Sequence, residues 1–230
     1  MKLAQVLFSQ GFGSRRECAA RILDGRVTVG GRVCDDPDED MALEGLVFEV
    51  DGRPWPYHAK ALLMLNKPAG YECSLKPRHH PSVLSLMPLP LRNRGIQPVG
   101  RLDEDTTGLL LLTDDGSLIH RLTSPKHHVP KIYDVVCKHP VDGTQHAALL
   151  AGVVLDDDPA PVAAVAVETT GTHSLRLTLM QGRYHQVKRM MAAVGNRVET
   201  LHRSGMGPLR LPDDLPVGEW RWLDAGMAWR

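Results

Sequence analysis

A short acidic stretch beside an arginine holds the residue types most able to do chemistry in this chain. Between Gly100 and Gly108 one arginine is followed by three carboxylates, Arg101, Asp103, Glu104 and Asp105. Four leucines and then Thr-Asp-Asp-Gly come next, which predicts a short buried strand ending in a turn. A loop held by such a strand can present a carboxylate rigidly, and a nearby arginine favours its charged form. The stretch predicts a carboxylate site, and the alternative is a solvated acidic turn.

A second polar cluster follows Gly182 and is strongly basic. It contains Arg183, His185, Lys188 and Arg189. The spacing predicts a helix that begins at about Arg183 and ends at Gly195-Asn196, with Tyr184, Val187, Met191 and Val194 as its apolar stripe. His185, Lys188 and Arg189 then share a neighbouring face at i, i+3 and i+4. This face is either a binding surface for anions or a solvated basic surface.

The acidic stretch, read as Gly-Arg-Leu-Asp-x-x-Thr-Thr-Gly-Leu over residues 100–109, resembles the catalytic loop of the pseudouridine synthases that modify ribosomal RNA. The resemblance implies that Asp103 is the essential residue and that Arg101 displaces the target base from its helix. Residues 182–190, Gly-Arg-x-His-Gln-Val-Lys-Arg-Met, resemble the third catalytic motif of the family, which implies that Lys188 pairs with Asp103. Many family members have arginine at this position, and a lysine cannot form the same bidentate pair.

Two further segments carry the same resemblance. Lys131-x-Tyr133 is similar to the family segment whose tyrosine stacks on the target base, which implies that role for Tyr133. Without the motif, Tyr133 would be an ordinary core residue of a strand. The turn Asn-Lys-Pro-x-Gly at 66–70 is similar to another family segment, and it implies that Lys67 faces RNA or supports the site. RNA contacts are also expected from three residues of the basic cluster, Arg183, His185 and Arg189.

The first fifty residues are predicted to form a separate small module of two helices and a hairpin. Ser14 and Glu17 form the pattern of a capping box at the start of the second helix. The order of elements is similar to the S4-like RNA-binding module that a protein of the small ribosomal subunit shares with many RNA-modifying enzymes. The resemblance implies RNA contacts by Arg15, Arg16 and Arg26, and the alternative is a solubilising surface on a structural module.

A proline-rich linker separates this module from the rest of the chain. Because two prolines flank Trp55, the segment 51–58 is not expected to continue a helix or a central strand. We therefore predict a module with its linker over residues 1–57 and a catalytic domain over residues 58–230. The catalytic domain is expected to be contiguous in sequence and to fold without the module. The predicted fold class is α+β, with a mixed, mainly antiparallel sheet in the catalytic domain, as the resemblance implies.

The charge is segregated although the total is zero, with 27 basic and 27 acidic residues. Residues 1–32 carry six Lys or Arg against two acids, and residues 176–210 carry seven against one. Residues 35–51 carry eight acids and no Lys or Arg, whereas residues 126–131 are basic without an acid. Such a distribution can bind phosphates on particular faces even when the total cancels, unless the segments average out in the fold.

Composition predicts an ordinary globular protein of the cytoplasm. No apolar run approaches the roughly 20 residues of a membrane span, and residues 1–5 lack the apolar core of a secretory signal. The four cysteines are scattered and are expected to be reduced thiols. Neither His79-His80 nor His127-His128 has further ligands at a recognisable spacing, so no metal is predicted.

The resemblance implies isomerisation of one uridine to pseudouridine in the ribosomal RNA of a partly assembled small subunit, by a monomer. The sequence of residues 183–190 favours the small-subunit branch over relatives that act on large-subunit RNA. Isomerisation adds no water and oxidises nothing, so one carboxylate suffices and no cofactor is expected. Two alternatives remain, a non-catalytic RNA-binding assembly factor and a hydrolase-like enzyme that uses Asp103 and Asp105 together.

Overall fold

The computed structural model describes residues 1–155 and 158–224, so residues 225–230 of the predicted catalytic domain lie outside the described chain. The chain divides into two compact units. The first comprises Met1–Ala61 and Met87–Gln97, and the second comprises Leu62–Leu86 and Pro98–Arg230. The predicted boundary at 57/58 therefore lies four residues too early by this division. The prediction that the catalytic domain is contiguous is corrected, because residues 87–97 belong to the amino-terminal unit.

The first unit consists of three helices and a four-stranded sheet. The helices are α1 (Leu3–Ser9), α2 (Arg15–Leu23) and α3 (Leu89–Asn93). The strands are β1 (Val27–Val29), β2 (Arg32–Cys34), β3 (Val47–Val50) and β4 (Arg53–Pro56). The sheet has the order β2-β1-β3-β4 with antiparallel pairs. This arrangement confirms the predicted helix-helix-hairpin order, and the side chains of Ser14 and Glu17 form the predicted capping box.

The late segment 87–97 joins the first unit through close contacts with the turn after α1. Asn93 Nδ2 donates to the carbonyl of Gly11 at 2.9 Å, and Arg94 Nη1 donates to Gln10 Oε1 at 2.6 Å. Gly11 has φ +85°, and a Cβ there would lie 2.1 Å from the carbonyl oxygen of Pro90. Only glycine permits this approach of the two segments.

The predicted linker around Trp55 is a strand, which corrects the prediction made from its prolines. Strand β4 pairs with β3 at the edge of the sheet, where Phe48 lies opposite Trp55. An edge strand needs backbone donors on one side only, so prolines are tolerated there. Trp55 is buried, and its ring lies 5.0 Å from that of Phe12. The segment is therefore part of the core of the module.

The second unit is built on one large sheet with helices on it. Its strands within the described chain are β5 (Leu62–Lys67), β7 (Thr107–Thr113), β8 (Lys131–Cys137), β9 (Val153–Leu155), β10 (Asp158–Val162), β11 (Ala166–Gly171), β12 (Ser174–Leu179), β13 (Val198–Met206), β14 (Leu209–Arg210) and β15 (Trp220–Trp222). Strand β6 (Gln97–Pro98) lies at the chain junction of the two units. The helices are α4 (Gly116–Thr123), α5 (Gly143–Ala151) and α6 (Gln186–Ala193), with 3-10 turns at Val83–Leu86 and Pro125–His127.

Seven of these strands follow the order β11-β12-β8-β13-β7-β5-β15, and β14 pairs with β13. Strands β13 and β7 pair in parallel, whereas the other neighbours in this path pair antiparallel. The sheet is thus mixed and mainly antiparallel, as predicted. Strands β9 and β10 form a separate antiparallel pair.

The leucine run after the acidic loop forms the buried centre of this sheet. All four leucines, residues 109–112, are fully buried in β7. On one face Leu109 and Leu111 pack in a cluster that includes Leu118 and Leu122 of α4. The predicted buried strand is therefore confirmed, and the loop before it is attached to the rigid part of the unit. Among the described residues, none of the helices has the length and apolarity needed to cross a membrane.

Candidate active site

The loop that carries Asp103 is fixed from behind by Lys67. This side chain is fully buried at the end of β5. Its Nζ lies 3.0 Å from the carbonyl oxygen of Asp103, 3.1 Å from that of Glu104 and 2.8 Å from that of Thr106. It also lies 3.0 Å from the carbonyl of Pro68. Burial lowers the pKa of Lys67. Of the two roles expected for Lys67, contact with RNA is corrected, because its ammonium is enclosed by carbonyl groups; the position agrees with the other role, support of the site.

The glycine at the end of the loop lets two strands approach closely. Gly108 pairs with Arg203 where β7 runs parallel to β13. It has φ +102°, and a Cβ there would lie 2.4 Å from the carbonyl oxygen of Arg203. A larger residue would push the strands apart and move the loop. The neighbouring Thr107 Oγ1 lies 2.9 Å from Nδ1 of His202, which adds a side-chain link between the same strands.

Two cationic or polar side chains of the basic cluster reach the carboxylate of Asp103. His185 Nε2 lies 3.3 Å from Asp103 Oδ1, and Lys188 Nζ lies 3.6 Å from Asp103 Oδ2. Lys188 is closer to the second acid of the loop, because its Nζ lies 2.7 Å from both carboxylate oxygens of Asp105. The implied pairing of Lys188 with Asp103 is present at the longer distance, and the hydrogen-bonded partner of Lys188 is Asp105.

This pairing shifts the titration of both partners. Burial disfavours the charged form of Asp105, but the hydrogen bond and charge of Lys188 outweigh it and lower the pKa of Asp105. Burial also disfavours the charged form of Lys188, whereas Asp105 and the nearby carboxylates raise its pKa overall. Lys188 and Asp105 are therefore oppositely charged at neutral pH.

The helix that carries Lys188 begins three residues later than predicted. Helix α6 starts at Gln186, because His185 adopts a left-handed conformation with φ +47°. Tyr184 is not part of an apolar stripe, since it is 69% exposed and its ring stacks on that of His185 at 3.8 Å. The buried residues of the helix are Gln186, Val187, Met190 and Met191. The left-handed residue turns the His185 ring toward Asp103 instead of along the helix.

A cavity of about 580 Å³ opens beside Asp103. Such a volume lies in the usual range of ligand pockets. Tyr133 of β8 forms part of the wall and is 9% exposed. The wall also includes Arg101, Arg183 and His185. The structure therefore brings together five residues expected to act in catalysis or RNA binding around one cavity: Arg101, Asp103, Tyr133, Arg183 and His185.

The remaining arginines that are expected to contact RNA differ in the groups that they contact within the protein. Arg189 Nη1 donates to the carbonyl of Tyr184 at 3.3 Å. In the first unit, Arg15 and Arg16 are exposed at the start of α2, and the guanidinium of Arg15 lies 5.0 Å from the Phe8 ring centre. Arg26 is held by Asp51 in a bidentate pair at 2.6 and 2.9 Å. Its charge is thus compensated within the protein.

The match to a family model defines the class of protein to which this fold belongs. Residues 61–193, more than half of the chain, match the family model described as RNA pseudouridylate synthase. Residues 1–40 match that of the S4 domain. The chain belongs to the RNA pseudouridylate synthase family and is an isomerase of that class.

Named relatives agree across nearly the whole length. The chain is 40% identical over 230 residues to ribosomal small subunit pseudouridine synthase A of Yersinia pestis, covering 97% of this chain and 94% of the relative. It is 41% identical over 223 residues to the protein of the same name from Escherichia coli (strain K12), covering 94% and 93%. A solved structure described as a pseudouridylate synthase is 34% identical, with a TM-score of 0.69 over 98% of this chain and 97% of that chain.

Two cations of the cavity wall were given no role at the site by the sequence analysis, although Lys131 belongs to the basic stretch 126–131. Lys131 and Arg203 both form part of the wall. The alternation of a strand places Lys131 on the same face as Tyr133, so the spacing Lys-x-Tyr already contained this signal. Arg203 had no comparable signal, because its place in the wall depends on the pairing of β13 with β8.

Proposed function

We propose that this chain isomerises one uridine of small-subunit ribosomal RNA to pseudouridine, with Asp103 as the catalytic carboxylate. The small-subunit substrate is supported by the names of the relatives at about 40% identity. The observation that carries the catalytic assignment is the position of Asp103. Its carboxylate borders a cavity large enough for a flipped nucleotide, on a loop that Lys67 clamps through three of the loop's carbonyls.

The proposed reaction breaks the N1–C1′ bond of uridine, turns the base and joins C5 to C1′. The carboxylate of Asp103 acts on the nucleotide in the first step. His185 and Lys188 orient this carboxylate. Tyr133 stacks on the extruded base, and Arg101 helps to extrude it from the RNA helix. Since the atoms of the base and sugar are only rearranged, the residues of the chain suffice for the reaction without a cofactor.

The arrangement of the second carboxylate argues against a hydrolase. A glycosidase needs two carboxyl groups on the two sides of the scissile bond. Asp105 binds Lys188 through both of its oxygens, and it is absent from the described residues that line the cavity. Asp103 is thus left as the acid that meets the substrate. Isomerisation requires only one carboxylate, whereas hydrolysis requires two. Hydrolysis would also release free uracil.

The amino-terminal unit serves as a docking element in this proposal. The first unit binds RNA phosphates through Arg15 and Arg16, with a smaller contribution from Arg26, and the second unit carries the catalytic site. Arg183 and Arg189 add contacts near the cavity. The substrate is a partly assembled small subunit, and the protein works as a monomer in the cytoplasm.

The test is a chemical map of pseudouridine after reaction of purified protein with unmodified RNA. Three substrates are compared: free small-subunit RNA, a partly assembled small subunit, and large-subunit RNA. We expect one new pseudouridine in the small-subunit substrates, most of it in the assembled particle, and no free uracil. Tight binding without any pseudouridine would identify a non-catalytic assembly factor. Modification of large-subunit RNA alone would overturn the substrate assignment.

A further inference from the structure

One wall of the cavity beside Asp103 carries two cations that the proposed mechanism has not yet used. Lys131 and Tyr133 are two residues apart on β8, so their side chains point to the same face of the sheet. Arg203 of β13 pairs in register with Tyr133. All three residues line the cavity. The residue proposed to stack on the base therefore lies next to a lysine and an arginine.

The guanidinium of Arg203 is buried, and only part of it is hydrogen-bonded within the described residues. The residue is 3% exposed, and its Nε donates to the carbonyl of Leu109 at 2.8 Å. Its Nη2 is buried and has no hydrogen-bond partner among the described residues. Buried charges are usually paired, because an isolated one loses its hydration without compensation. Arg203 is therefore an unusual group to find behind a substrate cavity unless a ligand brings negative charge.

Lys131 adds a second positive charge at the same wall. It is half-buried, and burial together with the positive charge of Arg203 lowers the pKa of its amine. Within the described chain, no salt bridge joins Lys131 or Arg203 to a carboxylate. Two neighbouring cations without an acid form a site of positive potential, which is the arrangement that stabilises a developing anion in a shielded cavity.

We propose that Lys131 and Arg203 form a cationic wall that receives the negative charge of the uracil base when its bond to the sugar breaks. Lys131 donates to a carbonyl oxygen of the base, and Arg203 acts through its buried charge. This inference rests on the proposed function, because it assigns the groups that stabilise the detached base in the same reaction.

The charge arises from the bond changes themselves. When N1–C1′ breaks, its electron pair leaves with the base and is shared by N1, O2 and O4. The base turns and C5 forms the new bond to C1′. The proton on C5 is then lost while N1 gains one, so the product is neutral and isomeric with the substrate. A cation near O2 or O4 is needed only while the base is detached, and it therefore acts on the rate more than on RNA binding.

A phosphate group is the other anion that two cations can bind, and the depth of the site favours the base. Arg203 is 3% exposed and lies beside Tyr133, whereas Arg101 of the same cavity is exposed. A phosphate stays with the backbone of the RNA, so exposed arginines are its natural partners. The flipped base is the part of the substrate that enters the deep region.

The first experiment measures single-turnover pseudouridine formation and RNA affinity for Lys131→Met. At saturating RNA we expect a rate lower by roughly a hundredfold, as for loss of one group that stabilises a developing anion. The affinity and its salt dependence should stay unchanged. Lys131→Arg should recover most of the rate, because it keeps the positive charge. Lys138→Met, which changes an exposed lysine after the same strand, is the matched control and should react like the wild type.

Two results of this experiment would overturn the proposal. One is an unchanged rate at saturation in Lys131→Met. The other is a salt slope of RNA binding that is lower by about one in Lys131→Met than in the wild type, together with a wild-type rate at saturating RNA. This combination would identify Lys131 as a phosphate contact. Lys131→Met is expected to fold normally, because it removes a half-buried charge that has no acidic partner in the described chain.

The second experiment tests the cationic wall without turnover, so that it remains informative if the proposed reaction itself fails. Free uracil is neutral at pH 7, whereas 5-nitrouracil is an anion because its nitro group withdraws electrons. We expect the full-length wild type to bind 5-nitrouracil at least about tenfold more tightly than uracil, as for a contact with a charged group. This preference should be lost in Lys131→Met and reduced in Arg203→Gln. Equal affinities for the two bases in the wild type would overturn the cationic wall, whereas absence of pseudouridine would overturn the proposed function.

Discussion

Lys188 binds Asp105 more closely than it binds Asp103, with its Nζ at 2.7 Å from both oxygens of Asp105 and at 3.6 Å from Asp103 Oδ2. One lysine thus serves two acids of the same loop. The tight pair with Asp105 anchors the loop to α6, and the looser contact leaves Asp103 available to the cavity. The roles of the two carboxylates can therefore be separated by substitution.

Asp103→Asn should lower the single-turnover rate by at least about four orders of magnitude, because it removes the carboxylate that acts on the nucleotide. Asp105→Asn should lower it by about tenfold or less, since Lys188 can then move to Asp103. Both variants should still bind RNA. Similar losses in two folded variants would contradict the separation of roles and would indicate a pair of acting carboxylates.

Lys67→Met should destabilise the protein by about 3 kcal/mol or more, because several carbonyl groups would lose their buried donor. Lys76→Met replaces an exposed lysine of the same unit and should leave the stability nearly unchanged. Denaturant unfolding measures both. A loss of RNA affinity with unchanged stability in Lys67→Met would show that the residue contacts RNA after all.

Tyr133→Ala should lose the stacking contact with the base, which is worth roughly 1 to 3 kcal/mol. Tyr133→Phe keeps the ring and should retain most of the rate at saturating RNA. Single-turnover kinetics of both variants at several RNA concentrations separate binding from rate. Normal turnover by Tyr133→Ala would return Tyr133 to the role of a core residue.

The loop after Glu72 should lose order in acid. The carboxylate of Glu72 accepts hydrogen bonds from the backbone N–H groups of Arg78, His79 and His80 at 2.8 to 3.1 Å, which lowers its pKa from 4.5 to about 2. Because the folded pKa lies below the unfolded one, the charged carboxylate stabilises the loop above about pH 4.5, and this contribution is lost as the pH falls through about 2.

Amide hydrogen exchange measures this effect directly. Protection at His79 and His80 should stay constant from pH 7 to pH 5 and should decline between about pH 4.5 and pH 2. Glu72→Gln should show the low protection already at pH 6. If protection in Glu72→Gln at pH 6 equals that of the wild type, the carboxylate does not order the loop.

RNA binding by the first unit should depend on Arg15 and Arg16 more than on Arg26. The double variant Arg15→Ala/Arg16→Ala should reduce the salt slope of binding by about two, one for each lost phosphate contact. Arg26→Ala should change it less, because Asp51 already neutralises Arg26 in a bidentate pair. Affinity measured against salt concentration gives the slopes. Equal slopes for the double variant and the wild type would make the unit a structural element.

Point substitutions suit this test better than removal of the module. A chain that begins near His58 was expected to fold alone. In the structure Asn93 donates to Gly11 and Arg94 Nη1 donates to Gln10, so that chain would lack both of these acceptors and would expose the surface of α3. We expect it to be less stable than the full-length protein.

The sequence by itself determined the features that depend on neighbours along the chain. Local sequence patterns predicted the capping box at Ser14, the hairpin that follows α2 and the buried leucine strand, because caps, turns and strand alternation involve residues a few positions apart. The sequence of the loop around Asp103 also indicated the family, and the match of residues 61–193 to the family model confirmed it.

Only the tertiary structure decided which distant groups meet. The choice of Lys188 between two acids, the burial of Lys67 under the loop and the transfer of residues 87–97 to the first unit each join residues far apart in the chain. The sequence pattern around a lysine does not show whether its ammonium faces solvent, RNA or four carbonyl groups. The direction of this long side chain depends on the packing around it. Arg203 acquires its place beside Tyr133 in the same way, through a strand pairing that no local pattern specifies.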